Sequence, residues 1–118
     1  MRDYTKIIAW QKADHLTRLV YGLAASLPRD ERYGLIQQMK RAAVSIPSNI
    51  AEGAGRSSDA EFEQFLSIAS GSASELRYQI ELVNGLWPSM AANQALVAVH
   101  EVKRVLWALR QASRRKRR

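Results

Sequence analysis

The residue types that carry catalysis are few in this chain, and their spacing does not match the usual catalytic arrangements. Cysteine is absent, which removes thiolate nucleophiles and cysteine-rich metal sites. The histidines are His15 and His100. Neither follows a glutamate by three residues, as in di-iron bundles, and His100-Glu101 lacks the second histidine of a zinc-protease helix. Gly53-Ala54-Gly55 lacks the lysine and hydroxyl of a phosphate-binding loop and is typical of a helix end. We therefore expect no enzymatic activity, cofactor, metal or small-molecule substrate.

Positive charge is concentrated at the C-terminus of the 118-residue chain, whose formal net charge is +7. Five of the cations are consecutive: Arg114, Arg115, Lys116, Arg117 and Arg118. The remaining residues, 1–113, carry 13 basic and 11 acidic side chains, a net charge of +2. Because like charges repel one another, this run predicts a disordered basic tail over 114–118. Such a tail can bind RNA or DNA by releasing counterions, remain a passive solvated end, or contact an acidic membrane or protein.

Four segments have the apolar spacing of amphipathic helices, which we predict at about 5–27, 31–53, 58–84 and 89–112. In the first, apolar residues recur at steps of three and four: Ala9, Ala13, Leu16, Val20, Leu23 and Leu27. The third opens with Ser58-Asp59-Ala60-Glu61, a capping box, and Asn84-Gly85 is a good helix stop.

Long helices joined by short connections must run antiparallel, which predicts an all-α, up-down-up-down four-helix bundle occupying residues 1–113 as one domain. The N-terminus has no apolar signal-peptide region, and no stretch approaches the roughly 20 apolar residues that cross a bilayer. We therefore expect a cytoplasmic protein without membrane insertion.

The second helix contains a proline. Pro47 lacks the amide that would bond to the Ala43 carbonyl, at a cost of about 3 kcal/mol or more in a helix interior, and predicts a kink there. Ser45, Asn49 and Glu52 follow at steps of four and three and share one helical face. Together with Arg41, these polar groups form either a recognition surface or a structural cluster that satisfies its own hydrogen bonds or caps the third helix.

This part of helix two reads R-A-A-V-S-I-P-S-N-I-A-E-G over residues 41–53, and it closely resembles the signature of the bacterial four-helix-bundle family typified by 23S rRNA-intervening-sequence proteins. Trp10-Gln11-Lys12-Ala13, Tyr33-Gly34-Leu35 and residues 62–76 are similar to the family as well, so that the resemblance covers about residues 4–110. The family-motif residues carried over are Arg41, Ser45, Pro47, Asn49, Glu52 and Gly53.

The resemblance implies a four-helix bundle that forms a homo-oligomer, commonly a pentameric ring, and it implies no catalytic activity. It also implies kinship with accessory proteins of diversity-generating retroelements, which bind nucleic acid and partner with a reverse transcriptase. The basic tail is not part of the shared pattern.

Two features suggest an interface. Helix one carries Ile7, Ile8, Trp10 and Tyr21 besides its stripe, which is more apolar surface than one stripe can bury. Small residues at 70–74 of helix three let a second backbone approach closely, either from this chain or from a neighbouring subunit. The tryptophans and Tyr21 are better explained as core or interface anchors than as base-stacking platforms.

We therefore predict a non-catalytic oligomeric module that binds nucleic acid or a nucleoprotein complex. The candidate binding residues are Lys40, Arg41 and Arg56 on the bundle and Arg114, Arg115, Lys116, Arg117 and Arg118 in the tail. The alternative is a structural or protein-interaction adaptor that binds no nucleic acid.

Overall fold

Four α-helices and two 3-10 turns make up residues 2–116, the part of the chain that the computed structural model describes. The helices are α1 (Ile8–Ala25), α2 (Leu35–Ala54), α3 (Asp59–Leu86) and α4 (Met90–Lys116), and the 3-10 turns are Tyr4–Lys6 and Arg29–Glu31. No strand occurs in this range. Each helix packs against the next one along the chain, and α4 packs against α1. The predicted all-α four-helix bundle is confirmed.

Side-chain caps mark the start of the first 3-10 turn and of α3. The Asp3 carboxylate accepts the Thr5 amide at 3.0 Å and caps the 3-10 turn, whereas α1 begins at Ile8 without a side-chain cap. The Ser58 hydroxyl accepts the Glu61 amide at 3.1 Å, which is the predicted start of α3.

Two helices run past the stops suggested by the sequence. Helix α3 continues through Asn84-Gly85 to Leu86, and no residue from 2 to 116 has the left-handed backbone that such a stop would use. Helix α4 continues to Lys116, so residues 114–116 are helical where a disordered tail was predicted. Cations in a last turn interact favourably with the helix macrodipole, and Arg114 is tied to α3 as described below. Arg117 and Arg118 lie outside the described residues.

The apolar stripes meet in one core along a rod of 47 × 22 × 20 Å. Five stripe residues of α1 are buried, as is Leu27 just beyond its end, and apolar residues of the other three helices complete the core. Ile7, Trp10 and Trp87 pack against this core, whereas Ile8 and Trp107 are exposed. None of the helices within residues 2–116 is long and apolar enough to span a membrane.

Candidate functional site

Pro47 is accommodated by a hydroxyl from helix α1. Helix α2 is continuous across Pro47, and the bend predicted there stays a prediction. Thr17 Oγ1 lies 3.1 Å from the carbonyl oxygen of Ala43, the group that Pro47 leaves without its amide donor, and 2.8 Å from the Ala13 carbonyl. One hydroxyl hydrogen is therefore shared between two carbonyls. This contact ties α1 to α2 at the motif.

Ser45 and Asn49 join α2 to α3. The hydroxyl oxygens of Ser45 and Ser72 are 2.8 Å apart, and the Asn49 amide donates to the Ser45 carbonyl at 2.8 Å and to its hydroxyl at 3.0 Å. Both motif side chains are half-buried. The Ser45 hydroxyl and the Asn49 amide nitrogen are thus occupied within the chain, which favours the structural interpretation of this cluster over a recognition surface.

Gly53 sets the closest approach of α2 to α3. A Cβ atom placed there would lie 2.7 Å from Phe65 Cβ and 3.1 Å from Phe62 Cδ1, so no larger residue fits without movement. Glu52, the motif residue directly before Gly53, pairs with Arg56 at 2.8 Å on the surface. Arg41 is exposed. The motif therefore builds helix contacts through its small and polar residues, while its exposed positions are Arg41, Val44, Ser48 and Glu52.

The small-residue run of α3 also serves contacts within the chain. Ala73 is fully buried in the core, Ser72 meets Ser45, and Ser74 accepts a hydrogen bond from Lys103 at 3.0 Å. Gly71 differs, because a Cβ atom there would meet nothing within 4 Å.

The candidate binding residues fall into two separate places. Lys40 and Arg41 lie near the start of α2, where the Lys40 ammonium sits 4.9 Å above the Tyr21 ring. Arg56 lies beyond the other end of α2, and that end, Ala54, is 14 residues from Lys40, roughly 21 Å at 1.5 Å per residue. The structure therefore does not join Lys40 and Arg41 to the other cations.

At the opposite end of the bundle, cations from the N-terminus, the α2–α3 connection and α4 come together. We call this the basic end, defined by Arg2, Arg56, Arg110, Arg114, Arg115 and Lys116. Arg2 links these segments: its amide donates to the Ala54 carbonyl, its guanidinium donates to the Arg56 carbonyl at 3.2 Å, and it pairs with Asp59. The same guanidinium lies 4.3 Å over the Phe62 ring. Arg2 is thereby fixed across the start of α3.

Glu63 holds the last turns of α4. Its Oε1 accepts from the Nε atoms of Arg110 and Arg114, each at 3.2 Å. The Glu63 side chain is 11% exposed, whereas that of Arg114 is 46% exposed. A nearly buried carboxylate thus takes two guanidinium groups on one oxygen, and this arrangement orders the helix up to the basic run.

Arg114, Arg115 and Lys116 are all exposed in the final turn, but Arg115 and Lys116 differ from Arg114 in their partners. Within residues 2–116 neither has a carboxylate within 4.0 Å. They line a groove of about 450 Å³ together with Arg2, Asp59, Phe62, Leu109, Ala112 and Ser113. Arg56 points elsewhere, with its guanidinium 4.8 Å over the Phe65 ring. The basic end therefore presents Arg115 and Lys116 at the edge of an apolar depression.

A separate charged contact links α1 to α4. Glu101 lies between Lys12 at 3.5 Å and Arg104 at 2.6 Å. The hydrogen bond from Arg104, together with the positive charge of Lys12, holds the pKa of Glu101 below its usual range.

Among the described residues, no three histidine or acidic side chains are placed to hold a metal ion.

Several of these residues were missed by sequence reasoning. Thr17, Glu63 and Arg2 act through partners 26 to 57 residues away in the chain. Glu63 comes directly after Phe62, which belongs to the apolar stripe of α3. This position beside the stripe was a weak indication that the carboxylate would be buried. No local pattern marks Arg2 or Thr17.

The sequence pattern that defines the family described as 23S rRNA-intervening sequence protein matches residues 5–108. The chain belongs to this family. A solved structure of a protein of unknown function, from the S23 ribosomal protein family of Bacteroides thetaiotaomicron VPI-5482, has a TM-score of 0.79 at 21% sequence identity. The alignment covers 88% of this chain and 96% of that one, and at this identity it shows the fold alone. No curated protein sequence matches the chain.

The range matched by the family covers the whole motif but only part of the basic end. The motif residues from Arg41 to Gly53 lie inside the matched range of the 23S rRNA-intervening sequence protein family. Arg2, Arg110 and residues 113–116 lie outside it. The groove and the contact that holds α4 are therefore built partly from positions that the family pattern does not include.

Proposed function

We propose that this chain is a non-catalytic helical module that binds nucleic acid through its basic end. The observation that supports this is the position of Arg115 and Lys116, which are exposed on an ordered helical turn without carboxylate partners among residues 2–116. Cations held on a rigid helix lose little conformational freedom when they meet phosphates. We place this activity in the cytoplasm.

We expect four cations of the terminal run to take part. Arg114 is committed to Glu63, so four cations of the terminal run remain, Arg115 to Arg118. Binding should not depend on sequence, because contacts to phosphates carry no base information. Engagement of four cations gives a slope of log affinity against log salt of roughly −3.6 for duplex DNA and roughly −2.8 for single strands.

The test compares two double variants with equal loss of charge. Arg115→Gln/Lys116→Gln removes two cations from the basic end and leaves the Arg114 contact in place. Arg29→Gln/Arg32→Gln removes two exposed cations from the other end. Fluorescence anisotropy with a labelled oligonucleotide at several salt concentrations should give a slope about 1.4 to 1.8 smaller in magnitude for the first variant and an unchanged slope for the second.

Two results would overturn this proposal. Equal binding by the first variant and the native chain would place recognition on the bundle, either around Lys40 and Arg41 or around Arg56. Absence of nucleic-acid binding at low salt would favour the alternative, a protein-interaction adaptor. An apolar face supports that alternative: the outer surfaces of α1 and α4 form grooves of about 610 and 410 Å³.

The same α1–α4 face supports a proposal of homo-oligomerisation. Its exposed apolar residues include Ile8, Met90 and Val97, which are 61%, 76% and 72% exposed. Single exposed apolar residues are ordinary, but a face that carries several along two neighbouring helices is typical of an interface. A closed ring needs a head-to-tail contact between two different patches, and the family resemblance favours five subunits.

A further inference from the structure

The groove at the basic end has the features of a ligand site. Its volume of about 450 Å³ falls within the range of roughly 300–1,000 Å³ that is usual for small-ligand pockets. Its lining is mainly apolar, from Phe62, Leu109 and Ala112, and its cations are Arg2, Arg115 and Lys116. One acidic residue lines it, Asp59, and this carboxylate is paired with Arg2. The groove therefore carries a net charge of +2 beside an apolar wall.

A buried hydroxyl in the wall has no partner. Ser113 is 5% exposed, and its Oγ has no hydrogen-bond partner among the described residues. The buried Oε2 of Glu63 likewise has no partner among these residues. Because Ser113 Oγ lies beneath the surface of the wall, the contacts that are open to a ligand are the cations and the apolar side chains.

We propose that this groove holds the terminal nucleotide of a single-stranded nucleic acid. The terminal phosphate lies against Arg115 and Lys116, and the base lies on the apolar wall formed by Leu109, Ala112 and the edge of Phe62. The inference rests on the proposed function and names the part of the nucleic acid that the basic end recognises.

The charge and size of the groove select a strand end over an internal position. A terminal phosphate monoester carries up to two negative charges near neutral pH, because its second pKa is about 6, and an internal diester carries one. Two unpaired cations at one edge match the monoester. Bases of single strands are unstacked and are recognised by packing on side chains, which a depression of this size allows for one base.

The experiment uses the full chain and a steric block that leaves charge unchanged. Ala112 is exposed and lines the groove, so Ala112→Trp fills it. Ala25 is exposed near the other end of the bundle and lines a different groove, so Ala25→Trp is the matched control. Calorimetric titration with deoxyadenosine 5′-monophosphate measures the groove. Deoxyadenosine and inorganic phosphate test the base and the phosphate separately.

We expect the monophosphate to bind at least about tenfold more tightly than either fragment, a difference of roughly 1.4 kcal/mol. Ala112→Trp should weaken it by at least about tenfold, and Ala25→Trp by less than about twofold. Circular single-stranded DNA, which has no terminal nucleotide, should bind all three proteins equally through Arg115 and Lys116.

The outcomes separate the two proposals. If circular DNA binds but the monophosphate does not, or if Ala112→Trp leaves monophosphate affinity unchanged, the groove inference is wrong and the proposed function stands. If inorganic phosphate binds as tightly as the monophosphate, the apolar wall has no role and the inference is also wrong. If neither circular DNA nor the monophosphate binds, both proposals fail.

Discussion

At the scale of single residues, Gly53 is required by packing and Gly71 is not. Replacement of Gly53 by alanine would place a Cβ 2.7 Å from that of Phe65, so α2 and α3 must separate. We expect Gly53→Ala to lower the free energy of unfolding by about 1–3 kcal/mol, measured by urea denaturation. Gly71→Ala, which meets nothing, should raise it by about 0.5–1 kcal/mol. Equal effects at the two positions would contradict this explanation.

The Thr17 hydroxyl should matter because Pro47 removes an amide. Thr17→Val keeps the shape and leaves the Ala43 carbonyl without a donor, so we expect a loss of about 1–3 kcal/mol in the free energy of unfolding.

The double variant tests the cause. Pro47→Ala restores the amide that bonds to the Ala43 carbonyl, so the cost of Thr17→Val should be smaller in that background. A double-mutant cycle from thermal or urea unfolding measures the difference. An identical cost in both backgrounds would mean that Thr17 acts by another route.

At the scale of elements, the length of α4 depends on Glu63. Glu63→Gln keeps the size but removes the charge that holds Arg110 and Arg114, so the final turns should open more often. We expect faster amide hydrogen exchange at residues 110–116 and a loss of about 1.5–3 kcal/mol in the free energy of unfolding. Glu81→Gln breaks an exposed pair with Arg77 on α3 and should cost less than about 1 kcal/mol. Unchanged exchange at 110–116 would show that the macrodipole and helix propensity alone order these turns.

At the scale of the whole molecule, we expect the α1–α4 face to form the contact between subunits. Val97→Glu places a charge in that face and should shift the mass measured by light scattering at micromolar concentration from oligomer to monomer. Ile68→Glu makes the same change on the outer surface of α3, where Ile68 is 52% exposed, and should leave the mass unchanged. The reverse pattern would place the interface on α3. A monomeric native chain would refute homo-oligomerisation altogether.

The sequence by itself determined the helices and the core of this molecule. Helical periodicity and capping are local, and they act through residues three or four apart, so the α1 stripe from Ala9 to Leu27 and the Ser58 cap could be predicted from the sequence. The four-helix arrangement followed because short connections force long helices to return. The same local reasoning failed at residues 114–116, where a repulsive run of cations predicted disorder.

Only the tertiary structure decided which residues meet across helices. Contacts between Thr17 and Ala43, between Glu63 and Arg114, and between Arg2 and Asp59 depend on the rotation and relative height of packed helices. Those quantities are set by how the whole core interdigitates, and no local spacing encodes them. For this reason the motif could be recognised from sequence while its partners could not. The groove at the basic end is lined by three segments that are far apart in the sequence, so it could not be predicted from the sequence.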